Sequence, residues 1–77
     1  MNKFHYQKGE HPLIGRRIML IHTSDIYTDL KKGDLGTITD VNECELWSEK
    51  FTQIGIRWNN GSNLMLILGK DKFKVLD

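Results

Sequence analysis

Apolar and polar residues alternate through Ile54, Ile56 and Trp58, break at Asn59-Asn60-Gly61-Ser62, and are followed by Leu64 to Leu68, apolar at every position. Period two marks strands, and Asn-Gly between two such runs marks a β-hairpin, because both residues accept the positive φ of a tight reversal. Two registers are available. A two-residue loop at Asn60-Gly61 sets Trp58 opposite Asn63 and Ile56 opposite Met65. A three-residue loop, with Gly61 as the left-handed residue of a bulged turn, sets Leu64 opposite Ile56 and Leu66 opposite Ile54, joining leucines and isoleucines on one face. The second register is favoured, and it requires positive φ at Gly61 without positive φ at Asn60.

The same patterning places four more strands or arms. Residues 17–21 are a β-rich run with Ile18 and Leu20 inward, bounded by Gly15 and the polar His22-Thr23-Ser24-Asp25. Residues 24–34 are turn-prone and predict a long structured loop, with Tyr27 and Leu30 as anchors. In residues 37–41, Ile38 and Val41 break period two, so both face inward only if Thr39-Asp40 bulges, a device that curls a sheet. Residues 42–50 form an acidic loop or hairpin arm, 69–72 a turn or a single 3₁₀ turn, and 73–76 a last strand with Phe73 and Val75 inward. Residues 1–12 carry Gly9, Pro12 and charges of both signs without periodicity, which predicts a flexible N-terminal tail before a domain at 13–77. The result is an all-β domain: a small, five-stranded, closed or nearly closed barrel with a short 3₁₀ turn before the last strand, which hides the sheet edges.

Composition narrows the functional classes. A chain of 77 residues holds one domain with a small core, and 11 basic against 10 acidic residues give a net charge of +1, no global pull toward nucleic acid or anionic membrane. The run from Leu64 to Leu68 falls far below a membrane span of about 20 residues, and the N-terminus has no apolar signal region. A single cysteine, Cys44, forms no internal disulfide. These features fit a soluble, unexported, cytoplasmic protein.

The motifs Asp25-Ile26-Tyr27-Thr28, Lys32-Gly33-Asp34-Leu35-Gly36-Thr37, Trp58-Asn59-Asn60-Gly61-Ser62 and Leu68-Gly69-Lys70-Asp71-Lys72-Phe73 resemble a family of small microbial and phage domains of unknown function. That family usually has proline where Ile26 stands and aspartate where Asn59 stands, which implies a less rigid loop here and one turn charge fewer. The element order of residues 15–76 also resembles SH3-like barrels, and residues 15–41 resemble the KOW-type strand-loop-strand of ribosomal and transcription-factor domains, which implies RNA or protein binding through the barrel surface. His22-Thr23, Tyr27, Gly33 and Gly36-Thr37 resemble the barrel of nitrile hydratase β subunits, whose metal-binding cysteines lie on the other subunit and have no counterpart in this chain.

Three sets of side chains are candidates for chemistry. Tyr27, Trp47 and Phe51 flank the groove expected between the 24–34 loop and the 43–51 arm. Large aromatics on a polar arm hold a peptide or seal a weak homodimer; alternatively they fold back and cap the barrel. Glu43, Glu45 and Glu49 nearby favour a basic protein partner over nucleic acid at this end. Lys70, Lys72 and Lys74 alternate on the last strand beside Arg17. They form either a phosphate-attracting patch for RNA or DNA or the charged guard of an edge strand. His5, His11, His22 and Cys44 match no paired zinc spacing, and the acidic neighbours Glu43 and Glu45 work against a reactive thiolate at Cys44. No nucleophilic triad, nucleotide loop or cofactor motif is present in the sequence, so the reading is a non-enzymatic binding module without cofactor, a monomer or weak homodimer, binding protein or peptide, alternatively nucleic acid or a larger complex as an accessory barrel.

Overall fold

Residues 36–46 and 49–58 pair along almost their whole length, and the rest of the sheet is built outward from that ladder. A computed structural model describes the backbone of residues 3–6 and the whole of residues 11–76. The strands are β1 (Lys3–Tyr6), β2 (Arg17–His22), β3 (Leu35–Leu46), β4 (Glu49–Trp58), β5 (Leu66–Ile67) and β6 (Lys72–Val75). They form one antiparallel sheet in the order β5-β4-β3-β2-β6, with β1 on β3 outside this path. The chain is all-β, and β2 to β6 occupy the five strand positions that the sequence predicts. The path is open: a single bridge between Leu68 and Asp71 joins its two ends among the described residues.

The register between β3 and β4 shifts between Ile38 and Asp40, so Thr39 is an extra residue. That bulge turns both Ile38 and Val41 inward, at 1% and 0% exposure, as the break in period two requires. Asp40 seals it: one carboxylate oxygen accepts from Thr39 Oγ1 at 2.7 Å and the other from Asn42 Nδ2 at 3.1 Å. The strand opposite leaves room, since a β-carbon on Gly55 would overlap the Asp40 carboxylate.

Ile18, Leu20, Leu30, Ile38, Val41, Ile54, Ile56, Trp58 and Leu66 make the core, with Leu13, Ile14, Leu64, Phe73 and Val75 packed around it. Trp58 closes onto the sheet over Gly36, where a β-carbon would meet its Cε3 at 3.0 Å. The hairpin register is the three-residue one: Ile54 pairs with Leu66, and Gly61 has φ 84° while Asn60 is not left-handed. The ladder is interrupted, however, because residues 61–65 lie outside any strand. Side chains take the backbone partners instead. Trp58 Nε1–H donates to Leu64 O at 2.8 Å, Ser62 N–H to Asn60 Oδ1 at 2.9 Å and Leu64 N–H to Ser62 Oγ at 3.2 Å.

One expectation is resolved and another changes. The connection before the last strand, expected as a turn or a single 3₁₀ turn, is a hydrogen-bonded turn, in which Ile67 O accepts from both Lys70 N–H and Asp71 N–H, with Gly69 at φ 95°. Within the segment expected as a tail, Lys3–Tyr6 form β1, pairing from Lys3 with Cys44 to Tyr6 with Val41. The cause lies in β3. Pairing of β2 along that edge ends at Ile38, whose N–H donates to Arg16 O and whose carbonyl accepts from Gly15 N–H, so the edge beyond the bulge is open to another strand. The rest of the expected tail that falls at residues 1–2 and 7–10 lies outside the described residues, as does Asp77.

Candidate functional site

Past the core, the β3–β4 ladder continues as a two-stranded arm to the pair Leu46 and Glu49. Trp47 and Ser48 join them with φ of 54° and 66°. Two successive left-handed residues make the two-residue loop whose twist matches the strands, a position that Asn and Gly usually fill. A side chain with a β-carbon is disfavoured there by about 1–2 kcal/mol per residue, and Trp47 recovers none of this by burial, being 88% exposed. Its indole is held out from the arm.

Beside the tip lies a cleft of about 500 Å³. Phe51 and Leu46 line it from the arm, Ile67 and Leu68 from the opposite wall, with Glu49, Lys50 and Lys70 as its charged members. Leu46 and Leu68 are exposed large apolar residues, so the cleft combines apolar side chains with the charges of Glu49, Lys50 and Lys70.

A buried carboxylate fixes the second wall. Asp71, 6% exposed, accepts from Ile67 N–H at 2.7 Å through Oδ2, and through Oδ1 from Ser24 N–H at 2.6 Å, Thr23 Oγ1 at 3.0 Å and Ser24 Oγ at 3.1 Å. Burial pushes its carboxyl up, but the hydrogen bonds from Ile67, Ser24 and Thr23 outweigh that and hold it below the ordinary carboxylate value. Asp71 therefore ties the cleft wall to the root of the 24–34 loop.

The aromatic residues singled out in the sequence separate. Phe51 is half-buried in the cleft, and Trp47 sits in the turn between two cleft-lining residues. Tyr27 is not among the lining residues. It is 91% exposed on a loop folded by short-range bonds, its N–H donating to Asp25 Oδ1 at 2.8 Å, and that loop is anchored by buried Leu30. The lysines separate too. Lys70 joins the cleft, whereas Lys72 and Lys74 lie on β6 opposite His22 and Met19 of β2. Arg17 lies on the exposed side of β2, and the register sets Arg57, which the sequence reading passed over, in its row through Thr37. The signal was present: Arg57 is the outward residue between Ile56 and Trp58.

His11 Nδ1 accepts from Leu13 N–H at 3.1 Å, His22 ends β2, His5 lies in β1, and the buried Cys44 thiol donates to Asn42 O at 3.8 Å. Among the described residues no three His, Cys, Asp or Glu side chains gather as a metal-binding group. No helix among them is long and apolar enough to cross a membrane.

A family described as a domain of unknown function, DUF4314, matches residues 5–76. The chain belongs to this family. The match takes in part of β1 and all of β2 to β6, so the DUF4314 domain coincides with the single sheet. The family resemblance carried by the Gly33–Thr37 and Trp58–Ser62 motifs holds. No curated protein and no solved structure matches this DUF4314 chain.

Proposed function

We propose that this domain is a non-enzymatic, cytoplasmic protein-binding module that takes an apolar side chain of an extended peptide into the cleft between the arm and the 67–70 turn, with Trp47 closing over it. One observation carries the reading: an 88% exposed tryptophan, held in a disfavoured backbone conformation, stands in the turn between two residues that line a cleft of mixed apolar and charged walls. Strained conformations that persist without a folding role concentrate at binding sites, and exposed tryptophans dominate peptide interfaces. The strand order β5-β4-β3-β2-β6 supports an SH3-like barrel as the scaffold. The groove drawn from the sequence changes in one wall: the 24–34 loop is replaced by the 67–70 turn, to which Asp71 ties it.

The test begins with a displayed library of random linear peptides selected on the immobilised domain. Enriched peptides should shift the amide resonances of residues 46–51 and 67–70, and Trp47→Ala should weaken them about 30-fold, the effect of losing a hot spot of about 2 kcal/mol. Shifts elsewhere, or an unchanged affinity for Trp47→Ala, would sink the proposal.

A further inference from the structure

Register rather than sequence proximity assembles the cations of the opposite surface. Arg57 of β4 pairs with Thr37 of β3, and Thr37 pairs with Arg17 of β2, so two arginines share one row across three strands. In the next row Leu35 pairs with Met19 and Met19 with Lys74 of β6; one step further His22 pairs with Lys72. Arg17, Arg57, Lys72 and Lys74 are all exposed, while the alternate residues Ile18, Leu20, Ile56 and Trp58 are buried, which puts the four cations on the face away from the core.

With strands about 4.8 Å apart and about 6.6 Å between every second residue, the path from Arg57 to Arg17 to Lys74 to Lys72 advances in steps of about 7–10 Å. Among the described residues, the strand register pairs none of these cations with an acidic residue. Asp40 is an acidic position diagonal to Arg57 across the bulge, and its carboxylate accepts from Thr39 and Asn42. The residues between the cations, Met19, Leu35 and Thr37, are half-buried and none is aromatic, so the face has nothing on which a base stacks.

We infer that the outer face of β6-β2-β3-β4 binds the phosphodiester backbone of single-stranded nucleic acid without sequence preference, at a surface separate from the peptide cleft. Four phosphate contacts give a salt slope of about −0.7 per contact, which is about a 50-fold loss of affinity between 50 and 200 mM salt. Fluorescence anisotropy with a labelled 20-nucleotide oligo-dT over that range tests it. Arg57→Ala should reduce the loss to about 20-fold, and the triple variant R57A/K72A/K74A to about 3-fold. Lys32→Ala, an exposed cation of the 24–34 loop, should leave the slope unchanged.

Absence of binding at 20 mM salt overturns the inference, as does a slope reduced equally by Lys32→Ala and Arg57→Ala, which would make bulk charge responsible. Amide shifts on the unaltered protein give a second measurement that needs no variant to fold. They should appear at residues 17, 19, 37, 57 and 74; shifts confined to 46–51 and 67–70 would move nucleic acid to the cleft and refute the assignment to this face.

Discussion

Trp58 and Trp47 stand at the two ends of β4, one closing the strand and the other in the turn before it. Trp58 is 2% exposed, packs over Gly36 and hands its indole N–H to Leu64 O, so every part of the side chain is used by the fold. Trp47 is 88% exposed and left-handed, and the fold gains nothing visible from it. The contrast separates two uses of one residue type. Buried aromatic area stabilises the domain, while exposed aromatic area on a strained turn leaves its free energy available for a partner.

The sharpest way to break this comparison is to truncate both. Trp58→Ala should lose about 3–5 kcal/mol, a large share of the about 4–12 kcal/mol that about 0.05–0.15 kcal/mol per residue gives a chain of 77 residues. Trp47→Ala should stay within about 0.5 kcal/mol of the parent. Urea denaturation measures both, and comparable losses would erase the distinction.

Asp71 extends the comparison from packing to polar clamping. Asp71→Asn, which takes charge from an acceptor of two backbone amides, should cost about 1.5–3 kcal/mol near neutral pH. Because its folded-state pKa is depressed, the contribution is complete above the unfolded carboxylate value of about 3.9 and is lost as pH falls from there through the lower folded-state value. Stability should therefore rise with pH across that acidic window, and the Asn variant should flatten the rise; equal slopes would refute the clamp.

A smaller effect probes the seat of Trp58. Gly36→Ala should cost about 1–3 kcal/mol by overpacking and alter the near-ultraviolet circular dichroism of the indole, since a β-carbon there meets Trp58 and Ile56. An unperturbed spectrum would show that Trp58 does not depend on this contact. Smallest, and opposite in sign, is the arm tip: replacing Trp47-Ser48 with Asn-Gly should stabilise the domain by about 1 kcal/mol by relieving the left-handed strain, while weakening the proposed peptide binding about as much as Trp47→Ala does. Destabilisation on thermal melting would mean that Trp47 has a folding role after all.

Features set by neighbouring residues were legible from the sequence. Ile38 and Val41 demanded the bulge, and the apolar match of Leu66 with Ile54 picked the register. What the sequence concealed depends on where strands stop. The hairpin ladder fails at 61–65 because Asn60, Ser62 and Trp58 side chains capture the backbone groups, a competition that periodicity does not register. The place for β1 appears only once β2 is seen to leave half of β3's edge uncovered. The candidate site was half legible for the same reason. Trp47 and Phe51 announced themselves on the arm, but Ile67, Leu68 and Lys70 become their neighbours through the β4–β5 pairing, and Arg57 meets Arg17 through a third strand.

The Asp71 carboxylate also sets how the molecule breathes. Ser24 and Asp71 are 47 positions apart in the chain, yet one side chain holds the amides of Ser24 and Ile67 together. An opening that moves the Asp71 carboxylate frees both amides at once, one from each of its oxygens. Their amide exchange should follow a common rate, making the loop root and the cleft wall a single cooperative unit.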